Sequence, residues 1–303
     1  MILVFGSINI DVLVPVPRLP LPGETVLGGD YALLPGGKGA NQALAARRAG
    51  ASVTMAGAVG NDRFAALALE NLHRHGVDLG LVRRVGRPTG CAAIMVGAAG
   101  ENLIAVAPGA NHAAEADSVP DSVLGSGTIL VCQMEVPPAE NWALIARTRA
   151  AGARTVLNLA PAAPIDPAHV AQIDILVANA GEAGALGADP AGVARRLRQA
   201  FVVTGGSEGS TAYLADGGRI DTPALAIEPV DTTGAGDTFV GVLAAGLERR
   251  LALPAALREA SAAAALACLA NGAQSAMPDR AMIEAAAARL PASCETALHA
   301  SSG

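Results

Sequence analysis

The residues best placed to do chemistry are Val230-Asp231-Thr232-Thr233-Gly234-Ala235-Gly236-Asp237-Thr238-Phe239. Phe239, Val242, Leu243 and Leu247 follow at helical spacing, which predicts a helix beginning near Gly236. Two glycines at a helix start leave backbone N–H groups free to face a ligand. The positive end of the helix dipole falls at the same place. Together they suit an anion whose charge changes during transfer, such as a phosphate. Asp237 is the odd residue, because a carboxylate repels a phosphate unless it takes a proton from an attacking hydroxyl. It could equally do no more than complement the dipole in the first turn. From this stretch alone both readings stand.

The elements that would position these groups come next. Apolar runs at 2–5, 128–132, 154–158, 173–178 and 201–204 read as strands, with helices at 138–151, around 180–198, and at 236–250, 254–271 and 279–290. This alternation predicts an α/β fold with a doubly wound, mostly parallel central sheet flanked by helices. Ligands of such sheets bind beyond the C-terminal strand ends. Those ends carry Asn9 and Asp11, Glu135, Asn158, Asn179 and Thr204, followed by Asp231 and Asp237. Each has a plain alternative: Asn179 could only cap a helix, Glu182 could be an ordinary first-turn acid, and Thr204 to Gly209 could be a turn. The set points to a site more than any member does.

Gly36-Gly37-Lys38-Gly39-Ala40-Asn41 opens a helix that runs to about Ala49 and is closed by Gly50. It suits close backbone approach to a small polar ligand, with Lys38 near a negative charge, or a glycine-rich helix entry with a solvated lysine. A strand at 53–59 and a helix at 63–75 follow. Prolines at 15, 17, 20, 22 and 35 mark residues 12–35 as extended segments and turns outside the main sheet. Residues 92–96 and 103–107 flank Gly97-Ala98-Ala99-Gly100 as a hairpin. These two segments read as a small second layer. Further short strands are expected at 210–215 and 218–228, and a loose polar tail after Pro291.

Composition excludes several classes. The net charge is −6 and no basic run is long enough for a phosphate-backbone groove, which argues against nucleic acid. Aromatic residues make up 2% of the chain, too few for a base-stacking platform. No apolar run approaches the roughly 18 residues of a membrane span. No signal peptide is visible. Cys91, Cys132, Cys268 and Cys294 are far apart, without a CxxC, as in a reducing compartment. The expectation is a soluble cytoplasmic protein. GxxxxGK[ST] is absent, and Phe239 stands where a third glycine of GxGxxG would fall. His73 and His75 face different sides of a helix and make a poor metal pair.

The chain resembles the ribokinase branch of the PfkB sugar-kinase family almost end to end. The resemblance is carried by Gly6-Ser7-Ile8-Asn9-Ile10-Asp11, Pro22-Gly23-Glu24-Thr25, Gly36-Gly37-Lys38-Gly39-Ala40-Asn41-Gln42-Ala43, Gly100-Glu101-Asn102 and Pro108-Gly109-Ala110-Asn111. It continues through Gln133-Met134-Glu135, Asn158 to Ala162, Asn179-Ala180-Gly181-Glu182, Asp231 to Asp237 and Gly272-Ala273-Gln274. It implies one kinase domain over 1–303, with a β-sheet lid built from about 12–35 and 92–107. The implied reaction is ATP-dependent phosphorylation of the O5 hydroxyl of ribose. Asp237 resembles the base, and the backbone of Gly234, Ala235 and Gly236 the anion hole. Asn9, Asp11, Gly36, Gly37, Lys38, Asn41 and Glu135 are similar to the sugar-binding set. Asn179, Thr204, Gly206, Ser207, Gly209 and Gly236 match nucleotide-site positions.

The same resemblance implies two metals. Asn179 and Glu182 match an NxxE element that organises Mg²⁺ through waters. Asp231, Thr233, Ala267, Ala270, Gly272 and Ala276 match a monovalent-cation site, usually K⁺; at the last position the family usually has serine. A homodimer paired through the lid is also implied. Rival readings are a nucleoside kinase, disfavoured because Tyr31 is the lone aromatic of the lid segments, and a sugar-phosphate kinase, which would want Arg18, Arg83, Arg84 or Arg87 near the sugar. A non-catalytic sugar sensor would have lost Asp237 or its flanking glycines, and all are present.

Overall fold

Ile2-Leu3-Val4-Phe5 carries no polar side chain, and a strand of that kind must be covered on both faces. The computed structural model, which describes residues 1–187 and 189–296, places it at the heart of the main sheet. Strand β1 (Ile2–Phe5) runs into β2 (Asn9–Val16), and β3 (Ala32–Gly36) leads into helix α1 (Lys38–Arg48). β4 (Val53–Gly60), α2 (Arg63–Arg74), β5 (Asp78–Val85), β6 (Gly90–Gly97) and β7 (Asn102–Ala107) follow. Then come β8 (Ile129–Cys132), α3 (Pro138–Ala150), β9 (Arg154–Asn158), α4 (Pro167–Val170), β10 (Ile175–Asn179), α5 (Ala180–Ala185), α6 (Pro190–Ala194) and β11 (Ala200–Thr204). β12 (Ser210–Leu214) and β13 (Arg219–Thr222) precede α7 (Ala235–Glu248), α8 (Leu253–Ala267), α9 (Ala273–Ala276), α10 (Arg280–Ala287) and β14 (Cys294–Thr296).

The main sheet has 10 strands in the order β14-β13-β12-β11-β10-β9-β8-β1-β4-β5. From β11 to β5 neighbours run parallel, while β12, β13 and β14 add an antiparallel flank. Period-2 alternation divides the core. Ile2, Val4, Ile129 and Val131 face one cluster with α1, α2, α7 and α8, whereas Leu3, Phe5, Leu130 and Cys132 face the other with α3. Each large side chain buried this way contributes about 1.5–3 kcal/mol. Helix α7 is buried nearly all round from Asp237 to Leu247. It lies so close to α1 that a Cβ at Gly241 would stand 2.5 Å from the Gln42 carbonyl oxygen.

A second sheet has 4 strands in the order β3-β2-β6-β7. Asn9, Asp11, Gly36, Leu34, Gly90 and Ala92 occupy one of its faces by register. Val12 and Leu33, on the opposite face, pack against the main core. In its edge strand β7 Ile104 and Val106 are 52% and 51% exposed, and Leu27, in the link between β2 and β3, is 88% exposed.

Several expectations need correction. β5 was not anticipated; it extends the main sheet beyond β4. The strand expected over 218–228 ends at Thr222, and Ala224 to Ile227 with Pro229 instead line a cavity. The helical region around 180–198 consists of two short helices, α5 and α6, because Gly187 (φ 62°) and Pro190 interrupt it. The tail is not wholly loose, since Cys294–Thr296 pairs antiparallel with β13; residues 297–303 lie outside the described residues. Among the described residues no helix is long and apolar enough to cross a membrane.

Candidate active site

The N-terminus of α1 lies backbone-to-backbone on the link between β1 and β2. Gly37 caps it at φ 89°, where a Cβ would be 2.8 Å from Asn9 N and 2.9 Å from Ser7 O. A Cβ at Gly39 would be 2.7 Å from the Gly6 carbonyl carbon. Only glycines permit this approach, and it seats the start of α1 against the Gly6–Asn9 link. Across from them, Gly234 takes a left-handed conformation (φ 76°) and opens α7.

Asp237 stands in the first turn of α7 and is 7% exposed. Asn41 Nδ2 donates to its Oδ2 and Gln42 Nε2 to its Oδ1, each at 2.9 Å. Burial raises its pKa above the ordinary carboxylate value; Lys38 and the two amide bonds oppose the rise without cancelling it. A carboxylate so placed is a better base than a free one. Ala235 N–H already donates to Thr232 O at 3.2 Å. Among the described residues no hydrogen bond engages the N–H of Gly234, Gly236 or Asp237, so these face the space in front of the helix.

The proposed sugar residues gather next to this carboxylate. Asn111 Nδ2 donates to Asn9 Oδ1 (2.7 Å), and Asn111 Oδ1 accepts from Ile8 N–H (2.9 Å). Asn9 Nδ2 is therefore the group left for a ligand. A Cβ at Gly90 would overlap both amides. Glu135 Oε2 accepts from Ser7 Oγ (2.5 Å) and Lys38 N–H (3.2 Å), while Ser7 Oγ accepts from Gly39 N–H (3.2 Å). Asp11 is pushed up to about 6 by burial and by Glu135 and Asp237, against the pull of Lys38. Burial lowers the Lys38 pKa, but Asp237, Glu135, Glu182 and Asp11 outweigh it and hold it above its ordinary value. The arginines that a phosphorylated sugar would need lie elsewhere. Arg18 pairs with Glu24, Arg83 pairs with Glu115, and Arg84 Nη1 donates to Gly60 O.

Two cavities meet at the start of α7. One, of about 210 Å³, is lined by Lys38, Asn158, Asn179, Glu182, Gly234 and Asp237. The other, of about 510 Å³, is lined by Gly206, Ser207, Gly209 and Ala235 together with apolar side chains. Thr204 and Gly236 line both. Asn179 does cap α5: its Oδ1 accepts Glu182 N–H, and Glu182 Oε2 accepts Asn179 N–H, both at 2.8 Å. The cap fixes a carboxylate at the cavity wall, so capping the helix and lining the cavity are one feature.

Beside the larger cavity, Asp231 Oδ1 accepts Thr233 N–H (2.9 Å) and Oδ2 accepts Gly272 N–H (2.8 Å). Burial would raise the Asp231 pKa, yet these bonds hold it below the ordinary value. Asp231, Thr233 and Gly272 are thus brought together. Ala267 ends α8, Ala270 follows it, and Ala276 ends α9.

Sequence reasoning missed the apolar wall of the larger cavity: Leu225, Ile227, Phe239, Ala264, Ala265 and Cys268. Nothing distinguishes such residues from core in a linear sequence. It also missed the amides behind Asp237. Gln274 Nε2 donates to Asn41 Oδ1, and Asn71 Nδ2 to Gln274 Oε1, both at 3.0 Å.

Residues 1–280 match the sequence profile described as pfkB family carbohydrate kinase. The chain is 36% identical to a ribokinase of Bacillus subtilis over 291 residues, covering 93% of this chain and 98% of that one. It is 35% identical to a ribokinase of Lactococcus lactis, covering 93% and 95%. The structure of Arabidopsis thaliana ribokinase complexed with ribose and ATP superposes with a TM-score of 0.87 at 32% identity, covering 94% of this chain and 98% of that one.

Proposed function

The chain belongs to the pfkB family of carbohydrate kinases, and on that premise we propose that it transfers the γ-phosphoryl group of ATP to O5 of D-ribose, giving D-ribose 5-phosphate and ADP. The carrying observation is Asp237, a buried carboxylate at a helix N-terminus, with a carboxylate- and amide-lined side toward Asn9 and Glu135 and a nucleotide-sized cavity behind Gly236. Asp237 takes the O5 proton as O5 attacks the γ-phosphorus. The bond to the β-phosphate oxygen breaks, and its electrons leave with ADP. Free N–H groups of Gly234, Gly236 and Asp237 and the Lys38 ammonium lie where charge develops.

Asn9, Asp11, Gly36, Gly37, Lys38, Asn41 and Glu135 hold the sugar in this reading; carboxylates and amides suit hydroxyls that both donate and accept. Thr204, Gly206, Ser207 and Gly209 hold the nucleotide, with its base against the apolar wall. Asn179 and Glu182 would hold Mg²⁺ through waters; Glu182 at the polar cavity and Lys38 opposite fit a hydrated cation between phosphates. An ionised Asp231 tied to both neighbouring loops fits a K⁺ site completed by Thr233, Ala267, Ala270, Gly272 and Ala276, where alanines would offer backbone carbonyls. Bound cations would neutralise phosphate charge there.

The small sheet serves as a lid over the sugar within a single kinase domain, and its exposed Ile104, Val106 and Leu27 support pairing with a second copy. Four free cysteines fit a cytoplasmic setting. The test is ATP consumption with D-ribose, 2-deoxyribose, fructose, adenosine and fructose 6-phosphate, each with Mg²⁺ and with or without K⁺. Preference for ribose supports the reading; preference for another member moves the specificity claim alone.

A further inference from the structure

Gly6, Gln42 and Gln133 belong to the motifs of this chain, and of the three only Gln42 touches the site, through its bond to Asp237. They form one line behind Asp237. Gln42 Nε2 donates to Asp237 Oδ1 at 2.9 Å, and Gln133 Nε2 donates to Gln42 Oε1 at 2.8 Å. Gln133 Oε1 ends the line against Gly6 and has no donor among the described residues. Both glutamines are fully buried. Asn141 Nδ2, from α3, donates to the Gln133 carbonyl at 2.7 Å and fixes the base of that side chain.

The direction of the line is forced by chemistry. An ionised carboxylate only accepts, so Gln42 must turn its NH₂ toward Asp237 and its carbonyl oxygen away. That oxygen is satisfied by a Gln133 whose NH₂ points forward. The carbonyl oxygen of Gln133 then faces a backbone with nothing to donate. A buried acceptor left this way is costly, and such a group calls for a reason. The reason lies at the other end of the line. With Gln133 reversed, two carbonyl oxygens would meet, and Gln42 would swing its own oxygen onto Asp237. A side chain at position 6 would overlap Gln133 Oε1, so Gly6 leaves the clearance that this orientation needs.

We propose that Gln42 and Gln133 are positioning residues for phosphoryl transfer: Gln133 fixes the amide of Gln42, and Gln42 holds Asp237 aimed and ionised. The proposal rests on the reading of Asp237 as the base. The charged groups acting on Asp237 are Lys38 of α1, which favours the carboxylate, and Glu135 after β8 and Asp11 of β2, which oppose it. Against that balance the amide line adds a neutral donor whose effect depends on its direction.

The experiment compares full-length Gln42→Met, Gln133→Met, Gln133→Glu and Asp237→Asn with the parent protein. It measures kcat and KM for ribose with MgATP from pH 5.5 to 9, equilibrium ribose binding, and thermal midpoint. Gln42→Met and Gln133→Met are expected to lower kcat about tenfold, and to move the acid limb of kcat up by about 0.5–1 pH unit. Ribose affinity should change less than about twofold, because neither glutamine touches the sugar in this reading. Gln133→Glu keeps the shape and replaces the NH₂ by a carboxyl that, once ionised, only accepts and adds a negative charge behind Asp237, so at the alkaline end of the range it should do at least as much damage as Gln133→Met. An unchanged acid limb in the methionine variants, or a kcat loss matched by an equal loss of ribose affinity, overturns the proposal in favour of packing. If Gln133→Met fails to fold, Gln42→Met and Gln133→Glu decide by the same two readouts. Turnover surviving in Asp237→Asn removes the base reading itself. Turnover lost there, with the parent profile kept in the glutamine variants, overturns only this inference.

Discussion

Asn111→Leu is the substitution whose consequence can be worked most fully. Asn111 is buried, accepts from Ile8 N–H at 2.9 Å and donates to Asn9 Oδ1 at 2.7 Å. Leucine is close in volume, so the change removes two hydrogen bonds with little cavity. It strands a buried N–H and a buried carbonyl oxygen, each at about 1–3 kcal/mol, for a loss of about 2–6 kcal/mol. That is a large share of the roughly 5–15 kcal/mol that holds a typical domain together. At about 2–4 °C per kcal/mol it predicts a fall in thermal midpoint of about 4–24 °C. The second effect is functional. Without Asn111 the Asn9 amide can turn over, and the donor offered to the sugar is no longer preset. KM for ribose should rise about tenfold, equivalent to about 1.4 kcal/mol, with kcat largely retained. Calorimetry and steady-state kinetics on one preparation test both. A variant with the parent midpoint and the parent KM would refute the reasoning, and a drop in midpoint alone would leave Asn111 as scaffold.

Asp11→Asn should stabilise the protein above about pH 6 while weakening ribose binding. The folded pKa of Asp11 is raised to about 6, so its ionised form opposes folding by about 3 kcal/mol; the parent recovers that stability as pH falls from 7 to 4, and the gap in thermal midpoint should close over that range. Gly241→Val pushes α7 off α1 at the Gln42 carbonyl, so a loss of about 1–3 kcal/mol with a fall in kcat is expected by denaturant titration and assay. Ile104→Asp with Val106→Asp should give a monomer by light scattering; an unchanged mass would remove the lid from the dimer reading.

Much of this was legible in the chain. The alternation of Ile2, Leu3, Val4 and Phe5 with their counterparts at 129–132 is enough to call a buried parallel sheet, and Gly234 to Asp237 announce a helix start. β5 escaped because Gly80, Arg83 and Arg84 give an edge strand no continuous apolar side. The wall made by Leu225, Ile227 and Ala264 escaped because apolar side chains look alike whether they face a core or a cavity. The amides at 42, 111, 133 and 274 stood in motifs, but whether an amide caps, binds or supports depends on which way its NH₂ points. Only the assembled neighbours decide that. Asn179 shows the opposite lesson: its helix cap and its place at the cavity are compatible, so choosing between them was unnecessary.

The hydrogen bonds to Asp237 join positions 196 and 195 apart in the chain, and the Gln274–Asn41 bond spans 233. During synthesis α1 is made long before its partners. Until α7 emerges, the amide N–H groups of Asn41 and Gln42 that reach Asp237 have only water to donate to, and the central strand β1 waits for β8 as well. Contacts this distant close late and slowly. A chain broken anywhere before Asp237 therefore leaves this polar seam unfilled, and is marked for chaperones or proteases rather than surviving half-folded.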